Sequence, residues 1–546
     1  MSPHEGRRKK LACGAPDWDR RVNAPPATVC ILAAGAGSRS RAHELGMHKA
    51  LLPVGNRAVL THQIEQFPPG TRFVIALGHY ADQVRDYMAL AHPEIDAVFV
   101  GVDRVTGPTA GPGYSLLCCR SHLRRPFIFT ACDTLIPGEL NLPEGNWVGV
   151  HHIDQPERWC TVAVDADGMV DGVIYKKPEG SSLGFIGIAG VADHEPFWQA
   201  LERGLNERGE SQVNPGLEAL IGSGLRPVAL PWLDSGDDEG YGALLRRFEP
   251  NFSFTGKTTD VTYKIGDRII KFFSDAELTR RRFLRGRRHD GIFATVLDHC
   301  GHLFGYRFVP GRPLADSLDR NGVTDLLEWL EASLWRPVSC DRAAFDALCR
   351  RFYRDKTLDR LRAYLRRGGQ TSEEPASRID GVTCPTVIET IERLPDAFWT
   401  EGLPSTFHGD LHADNVIVGE DGRFTLIDWR HDFGDEMDHG DRYYDLAKFY
   451  HTLDFSVAAM TNGFRMDRDG RNVRLAHDQI DDADGLRAAF WAFCARRGYD
   501  RSRILVLNAL IFVNMAPLYD RPLADYLYHL GRLRLAEALS EGSPSP

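Results

Sequence analysis

The chain has 546 residues, 43% of them hydrophobic and 26% charged, with a net charge of -10. That length exceeds what a single core usually reaches, and the composition excludes a disordered or collagen-like chain. The basic residues gather into no long stripe, so nucleic acid is not an expected partner.

Residues 1–26 read as a solvated tail. The run Arg7-Arg8-Lys9-Lys10 sits among Pro and Gly, and no apolar stretch follows it. No secretory signal is expected, and the cytoplasm is the expected compartment. The eleven cysteines form no C-x-x-C pair. They suit a reducing compartment rather than a disulfide framework or a zinc site.

From Ala27, apolar runs alternate with amphipathic stretches. TVCILAAG reads as a buried parallel strand that ends in glycine. AVLTHQIEQF reads as a helix, TRFVIALG as a strand, HYADQVRDYMAL as a helix and IDAVFVGV as a strand. PGYSLLCCRSHL reads as a helix and RPFIFTACD as a fourth strand. The alternation predicts a mostly parallel sheet with flanking helices, a Rossmann-like α/β domain over residues 27–247. WVGVHHI, CTVAVDADGMVDGVIYK and LGFIGIAGV make its later part β-rich. PWLDSGDDEGYGALLRRF closes it.

A second domain, α+β, is expected over residues 250–540. FSFTGKTTDVTYKIGDRIIKFF reads as strands joined by turns at TGK and IGD. Helical stretches such as ALCRRFYRDKTLDRLRAYLRR follow, with RRGGQTSEEPAS as a polar loop. GLRAAFWAFCARRG is a late helix. ILVLNALIFVNMAPL, interrupted by Asn508 and Asn514, reads as a buried helix too short to span a bilayer. No membrane insertion is expected.

LAAGAGSR, from Leu32 to Arg39, follows the first strand. Glycines there let backbone N–H groups approach phosphate oxygens, so Leu32, Ala33, Ala34, Gly35 and Gly37 are candidates for holding a nucleotide. Arg39 and Lys49 supply mobile cations for a triphosphate. Ser40 stands where the third glycine of a dinucleotide fingerprint would be, which excludes that motif. With KALLPVGNRAVL from Lys49, this half resembles the sugar-phosphate and choline-phosphate nucleotidyltransferase family. FIFTACDTLI resembles the family's metal-binding strand end and implies Asp133 as a metal ligand. PWLDSGDDEGYGALL implies Asp234 as the second ligand, although Gly236-Asp237 departs from the family's usual Gly-Thr. IYKKPEG implies Lys176 or Lys177 as the grip on the acceptor phosphate. Two aspartates suffice for Mg²⁺, which prefers oxygen ligands and keeps waters.

FHGDLHADNVIVGEDGRFTLIDWR, from Phe407 to Arg430, carries Asp410 and Asn415 in D-x-x-x-x-N spacing, then a hairpin that returns Asp428. Kinases use this order for a catalytic Asp, a metal-binding Asn and a second metal-binding Asp. His408 and His412, with Asp414 nearby, also suggest a zinc face. Gly409 breaks the helix that face needs, so His408 is expected to brace the loop. HGDLHADN and LIDWR resemble the aminoglycoside phosphotransferase and choline kinase family. The resemblance implies Asp410 as catalytic base, with Asn415 and Asp428 as Mg²⁺ ligands. GDRIIKFF then implies Lys271 as the lysine on the ATP phosphates, with Glu277 either its ion-pair partner or an exposed helix residue. FGYRFVPGRPLAD implies the hinge that meets adenine, at Phe308 and Val309. Asp441 and Asp445, in GDRYYDLAKFYHTL, are expected to be structural.

Two such halves imply consecutive activations: ATP phosphorylates a small hydroxyl acceptor, then a second NTP, CTP or UTP, is joined to the product with release of pyrophosphate. The acceptor is an amino alcohol of choline type or a sugar, and the product an activated precursor for surface glycan or lipid. A choline-type acceptor calls for an aromatic or acidic box, for which Trp429, Tyr443 and Tyr444 are available. The alternative is a sugar-1-phosphate nucleotidyltransferase whose kinase-like domain binds ligand and regulates.

Overall fold

The computed structural model describes residues 28–541, apart from 38–41, 44, 108, 139, 141, 205–210 and 249–259. Arg39, the tail and the expected TGK turn lie outside the described residues. The chain divides into two compact units, residues 1–253 with 262–265 and residues 254–261 with 266–546.

In the first unit, strand Thr28–Ala33 is flanked in parallel by Arg72–Leu77 and Phe127–Ala131. Ala97–Gly101 runs parallel on the far side of Arg72–Leu77. The apolar run explains the central place: Val29, Cys30 and Ile31 are fully buried, as a strand covered on both faces requires. Helices Val59–Glu65, Ala81–Ala91 and Pro112–Cys118 lie between these strands in the chain. Ala81–Ala91 turns Val84, Tyr87, Met88 and Ala91 into the core. Leu183–Val191 then runs antiparallel to Phe127–Ala131 and extends the sheet to nine strands. The ends of Thr28–Ala33 and Phe127–Ala131 are neighbours, so the glycine loop and Asp133 emerge side by side.

In the second unit, strands Arg268–Phe273, Leu303–Arg307 and Val296–Cys300 form an antiparallel sheet. Helix Ala276–Arg288 starts where the Asp275 carboxylate accepts from Glu277 N and Leu278 N. The segment with Phe308 and Val309 leads from this sheet to Arg312–Pro313, which pairs with Val416–Val418. That strand forms a hairpin with Phe424–Leu426. Helices before and after this hairpin in the chain make up most of the rest of the unit, including Arg320–Ser333, Lys356–Arg367, Arg442–Asp454, Ala483–Arg497 and Arg501–Met515.

Three details differ from the sequence reading. ALCRRFYRDKTLDRLRAYLRR is not one regular helix: a π-helical turn, Arg351–Asp355, separates Arg342–Arg350 from Lys356–Arg367. The hairpin Phe464–Asp469 with Asn472–His477 went unread, because only Val473 of its strands is buried and the apolar alternation is weak. The stretch Arg501–Leu518 is, by length and composition alone, long and apolar enough to cross a membrane, which corrects the expectation that it is too short. Of its 18 residues, 61% are buried in the protein. Asn508 Nδ2 donates to Asp454 at 3.2 Å and Asn514 Nδ2 to Thr357 at 2.7 Å, so both interruptions face polar partners inside.

Two candidate active sites

In the first unit, Leu32 and Ala33 end the central strand, and Ala34, Gly35 and Gly37 form the loop beyond it. Gly37 has φ +62°, a conformation that favours glycine. The space beside Gly35 is open, with nothing within 4 Å of a Cβ position. Lys49 follows the loop, and its Nζ donates to Asp133 Oδ2 at 2.7 Å.

Sequence reading missed what holds Lys49 there. His48 Nδ1 accepts from Ala50 N at 3.1 Å, so Nε2 carries the proton and donates to the Ala33 carbonyl at 2.7 Å. Burial pushes the His48 pKa down to about 4, so the ring stays neutral and works as a structural link. Gln63 likewise fastens the Asp133 turn, donating to the Ala131 and Thr134 carbonyls at 2.7 and 2.9 Å.

Asp234 reaches the same place from a distant part of the chain. Strand Leu233–Asp234 pairs with Thr134–Leu135, setting Asp234 opposite Thr134. A Cβ on Gly236 would stand 2.9 Å from Asp234 Oδ1 and 3.1 Å from Asp133 Oδ2, so the two carboxylates converge on one small space. Burial and the charge of Asp133 push the Asp234 pKa up to about 6, against the lowering effect of the Gly236 N–H at 2.8 Å. Burial opposes a charge on Lys49, yet Asp133 and Cys132 hold its pKa above the usual value. Converging oxygen ligands that repel each other are what Mg²⁺ neutralises, and these residues fit it. Among the described residues, no group of three or more His, Cys, Asp or Glu is placed to hold a metal, which leaves such oxygen pairs as candidates.

A prediction follows from the raised Asp234 value. With that value, Asp234 in metal-free protein is about half protonated at pH 6 and almost fully ionised at pH 8. Adding Mg²⁺ at pH 6 should therefore release protons into weakly buffered solution, and at pH 8 should release almost none. Asp234→Asn should remove the difference; an unchanged release in that variant would place the titrating group elsewhere.

Lys176 and Lys177 are exposed on the turn after strand Val170–Tyr175. Neither bonds to Asp133 or Asp234 in the described residues; Lys176 Nζ lies 5.2 Å from the Tyr175 ring centroid. The structure therefore does not bring them into the carboxylate pair.

In the second unit, Asp410, Asn415 and Asp428 come together around the hairpin. Asn415 Nδ2 donates to the Asp410 carbonyl at 2.9 Å, and Ile427 N to the Asn415 carbonyl at 2.9 Å. That leaves Asn415 Oδ1 and the Asp428 carboxylate as oxygen donors suited to Mg²⁺. Asp428 itself sits at φ +57°, an uncommon conformation for a residue with a side chain and one found at functional sites. Lys271, nearly fully buried on its strand, donates to Asp428 Oδ2 at 2.9 Å. Glu277 does not pair with Lys271, which corrects that expectation. It is exposed at the helix start and binds Arg280 at 2.7 Å and Arg281 at 3.1 Å. Helix geometry explains this, since residues three and four apart face each other.

His408 braces the loop and binds no metal partner set. Its Nδ1 accepts from Asp410 N at 3.2 Å and its Nε2 donates to the Ile427 carbonyl at 2.9 Å. Burial pushes its pKa down to about 3. Asp445 is fully buried and accepts from His408 N and Gly409 N, each at 2.7 Å, and from the Trp335 indole at 3.0 Å. Arg285, also fully buried, donates to the Phe407 and Arg430 carbonyls and so ties the two loops together. Sequence reading missed Arg285 and Lys448; Lys448 Nζ lies 2.8 Å from Asp410 Oδ1. Asp445→Asn replaces one accepting oxygen by a donor facing a backbone N–H. It should cost about 2–3 kcal/mol in the unfolding of this unit, read by urea denaturation, and should lower phosphorylation without changing the first unit's activity.

The aromatic box does not form. Trp429 is buried, stacked on Phe293 at 4.9 Å, and Tyr443 accepts from Asp500 N. Of these three only Tyr444 lines the cavity that opens at Asp410, where its ring is joined by those of Phe352, Tyr353, Phe455 and Tyr519.

Comparison with known proteins gives a match for each unit. Residues 29–141 match the MobA-like NTP transferase domain, and residues 279–487 match the phosphotransferase enzyme family. The bifunctional protein GlmU of Methanococcus vannielii is 24% identical over 203 residues, 35% of this chain and 47% of that protein. The protein of that name from Methanocaldococcus jannaschii is 23% identical over 195 residues, 35% of this chain and 46% of that one. The chain thus spans about half the length of the curated relatives it matches. Among solved structures, the inositol-1-phosphate CTP transferase of T. maritima is similar at 14% identity and a TM-score of 0.35, covering 43% of this chain and 100% of that one. The UDP-glucose pyrophosphorylase of Acinetobacter baumannii is similar at 14% identity and a TM-score of 0.33, covering 40% and 92%. The chain carries a MobA-like NTP transferase domain followed by a domain of the phosphotransferase enzyme family.

Proposed function

We propose that the chain performs two consecutive activations in the cytoplasm. The second unit phosphorylates a small hydroxyl acceptor with ATP. The first joins a nucleotidyl group from a second NTP, CTP or UTP, to the phosphorylated product and releases pyrophosphate. The product serves surface glycan or lipid decoration. The observation that carries this reading is the presence in one chain of two separate sites, each with converging oxygen ligands beside a buried or half-buried lysine.

In the kinase step, Asp410 takes the proton of the acceptor hydroxyl as its oxygen bonds to the γ-phosphorus, and the bond to the ADP oxygen breaks. Asp445, His408 and Arg285 keep the Asp410 loop in one conformation, so the base is positioned before substrate arrives. Lys271 orients phosphate oxygens, and Lys448 offsets charge on the transferred group. Phe308 and Val309 offer backbone groups to adenine. In the transfer step, an acceptor phosphate oxygen attacks the α-phosphorus and pyrophosphate leaves. Lys49 and the Gly35–Gly37 loop hold the triphosphate, and Arg39, outside the described residues, supplies a second cation for it. Lys176 or Lys177 grips the acceptor phosphate. Mg²⁺, held by Asp133 with Asp234 and by Asn415 with Asp428, supplies charge neutralisation at the phosphates when bound.

The test is a screen of purified protein with ATP and CTP, UTP or GTP against panels of sugars and hydroxyl compounds, read by mass spectrometry. A nucleotide-linked mass arising from an unphosphorylated acceptor supports both steps. Products from phosphorylated acceptors alone would favour a second reading, in which the kinase-like unit binds ligand and regulates. The Lys448 contact with Asp410 favours that reading, since it occupies a carboxylate oxygen that the acceptor hydroxyl would need.

A further inference from the structure

A cavity of about 150 Å³ opens at Asp410 and runs between the π-helical turn Arg351–Asp355, helix Arg442–Asp454 and helix Arg501–Met515. Lys271, Asn415 and Asp428 are not among its lining residues, so it lies on the acceptor side of Asp410 rather than on the nucleotide side. Its charge is one-sided. Arg282, Lys356, Arg360, Arg430 and Lys448 line it, against one carboxylate, Asp410.

Most of these cations have a protein partner. Lys448 meets Asp410 at 2.8 Å, Arg360 donates to the Asn514 carbonyl at 2.9 Å, and Arg430 donates to the Asp432 carbonyl at 2.9 Å. Asp432 itself is held by Arg281 at 3.2 Å. Arg282 lies over the Phe273 ring at 4.5 Å with no acceptor at its Nε, and Lys356 likewise has only ring contacts. Among the described residues no carboxylate or carbonyl accepts from its Nζ, which lies 3.3 Å from the Phe352 ring centroid and 5.7 Å from that of Tyr444. Burial, then Arg430 and Arg360, push its pKa well below the usual lysine value. Burial and the arginines hold the His431 pKa down at about 2, and burial also lowers that of His451, so those two rings add no charge to the lining. The π-helical turn builds this wall, because Phe352 and Tyr353 project from it and Lys356 follows directly.

A cationic acceptor entering this cavity would meet five basic side chains against one carboxylate, already paired, and of the five aromatic rings that could favour it, Phe352 and Tyr444 already face Lys356. An anion would instead give Lys356 an acceptor, favour its protonated form, and complete Arg360 and Arg430. We propose that the kinase acceptor is a small hydroxyl compound that carries its own anionic group, phosphate or carboxylate, seated against Lys356 with Arg360 and Arg430. This rests on the reading of Asp410 as the kinase base, and it selects against the choline-type acceptor.

The experiment uses the full chain, with inorganic phosphate, glycerate and choline as separate probes in isothermal titration, each on wild type, Lys356→Met and Lys356→Arg. Phosphate or glycerate should bind. Lys356→Met should weaken that binding at least tenfold, Lys356→Arg should restore most of it, and ATP affinity should not change. Phosphate binding well above glycerate assigns a phosphate group, and the reverse assigns a carboxylate. Choline binding better than both anions, or anion binding indifferent to Lys356→Met in a folded variant, overturns the proposal. Turnover separates it from the kinase reading. An Asp410-dependent kinase that accepts neutral and anionic alcohols equally, with acceptor KM unmoved by Lys356→Met, leaves the kinase standing and removes the anion site. Anion binding that depends on Lys356 without any phosphorylation keeps the site and removes the kinase.

Discussion

Asp410→Ala is expected to lower ATP-dependent phosphorylation by about 10²–10⁴-fold, the range that a positioned general base contributes. Pyrophosphate release from NTP and a phosphorylated acceptor should stay at the wild-type rate. The variant should fold, because the bonds that hold this loop run through the backbone of His408, Gly409 and Asp410 rather than through the Asp410 carboxylate. It also frees Lys448, which loses its 2.8 Å contact. The measurement is a pair of rates on one preparation, ADP formed and pyrophosphate formed. Loss of both in a folded protein would overturn the assignment of independent sites.

Asp133→Ala is expected to have the reverse effect. Pyrophosphate release should fall by about 10²–10³-fold or more, the scale of removing one preorganised electrostatic group from a transition state, while ADP formation persists. A second readout reports the geometry itself. The charge of Asp133 is one of the two main causes that raise the Asp234 pKa to about 6. Removing that charge should bring Asp234 back toward the ordinary carboxylate range, measurable by carbon NMR of metal-free protein. A transfer rate that survives, with the Asp234 titration unmoved, would mean that the two carboxylates do not act on one another.

The parallel sheet was legible because its strands are continuous apolar runs that end in glycine or aspartate, as in TVCILAAG and FIFTACD. Such runs specify burial on both faces by themselves. The polar hairpin Phe464–His477 was not legible, since one buried valine carries too little periodicity to mark a strand. The π-helical turn was hidden for a different reason: its residues keep a helical pattern, and the extra residue per turn is a matter of packing. Glu277 shows how proximity in sequence misleads, because a helix offered it Arg280 and Arg281 before Lys271.

The sequence by itself determined the two family motifs. Each motif places its candidate residues within a few positions of a glycine turn or a strand end, where local backbone geometry is enough to aim them. Only the tertiary structure decided which residues share a charge. Asp234 meets Asp133 through pairing of two short strands, Lys448 reaches Asp410 from a later helix, and Asp445 and Arg285 hold the loop from inside the core. Lys356, set against the Phe352 ring in a cavity lined by other cations, belongs to that second kind. The reason is that burial and distance, which set the strength of every charge interaction, come from packing between segments far apart in the chain.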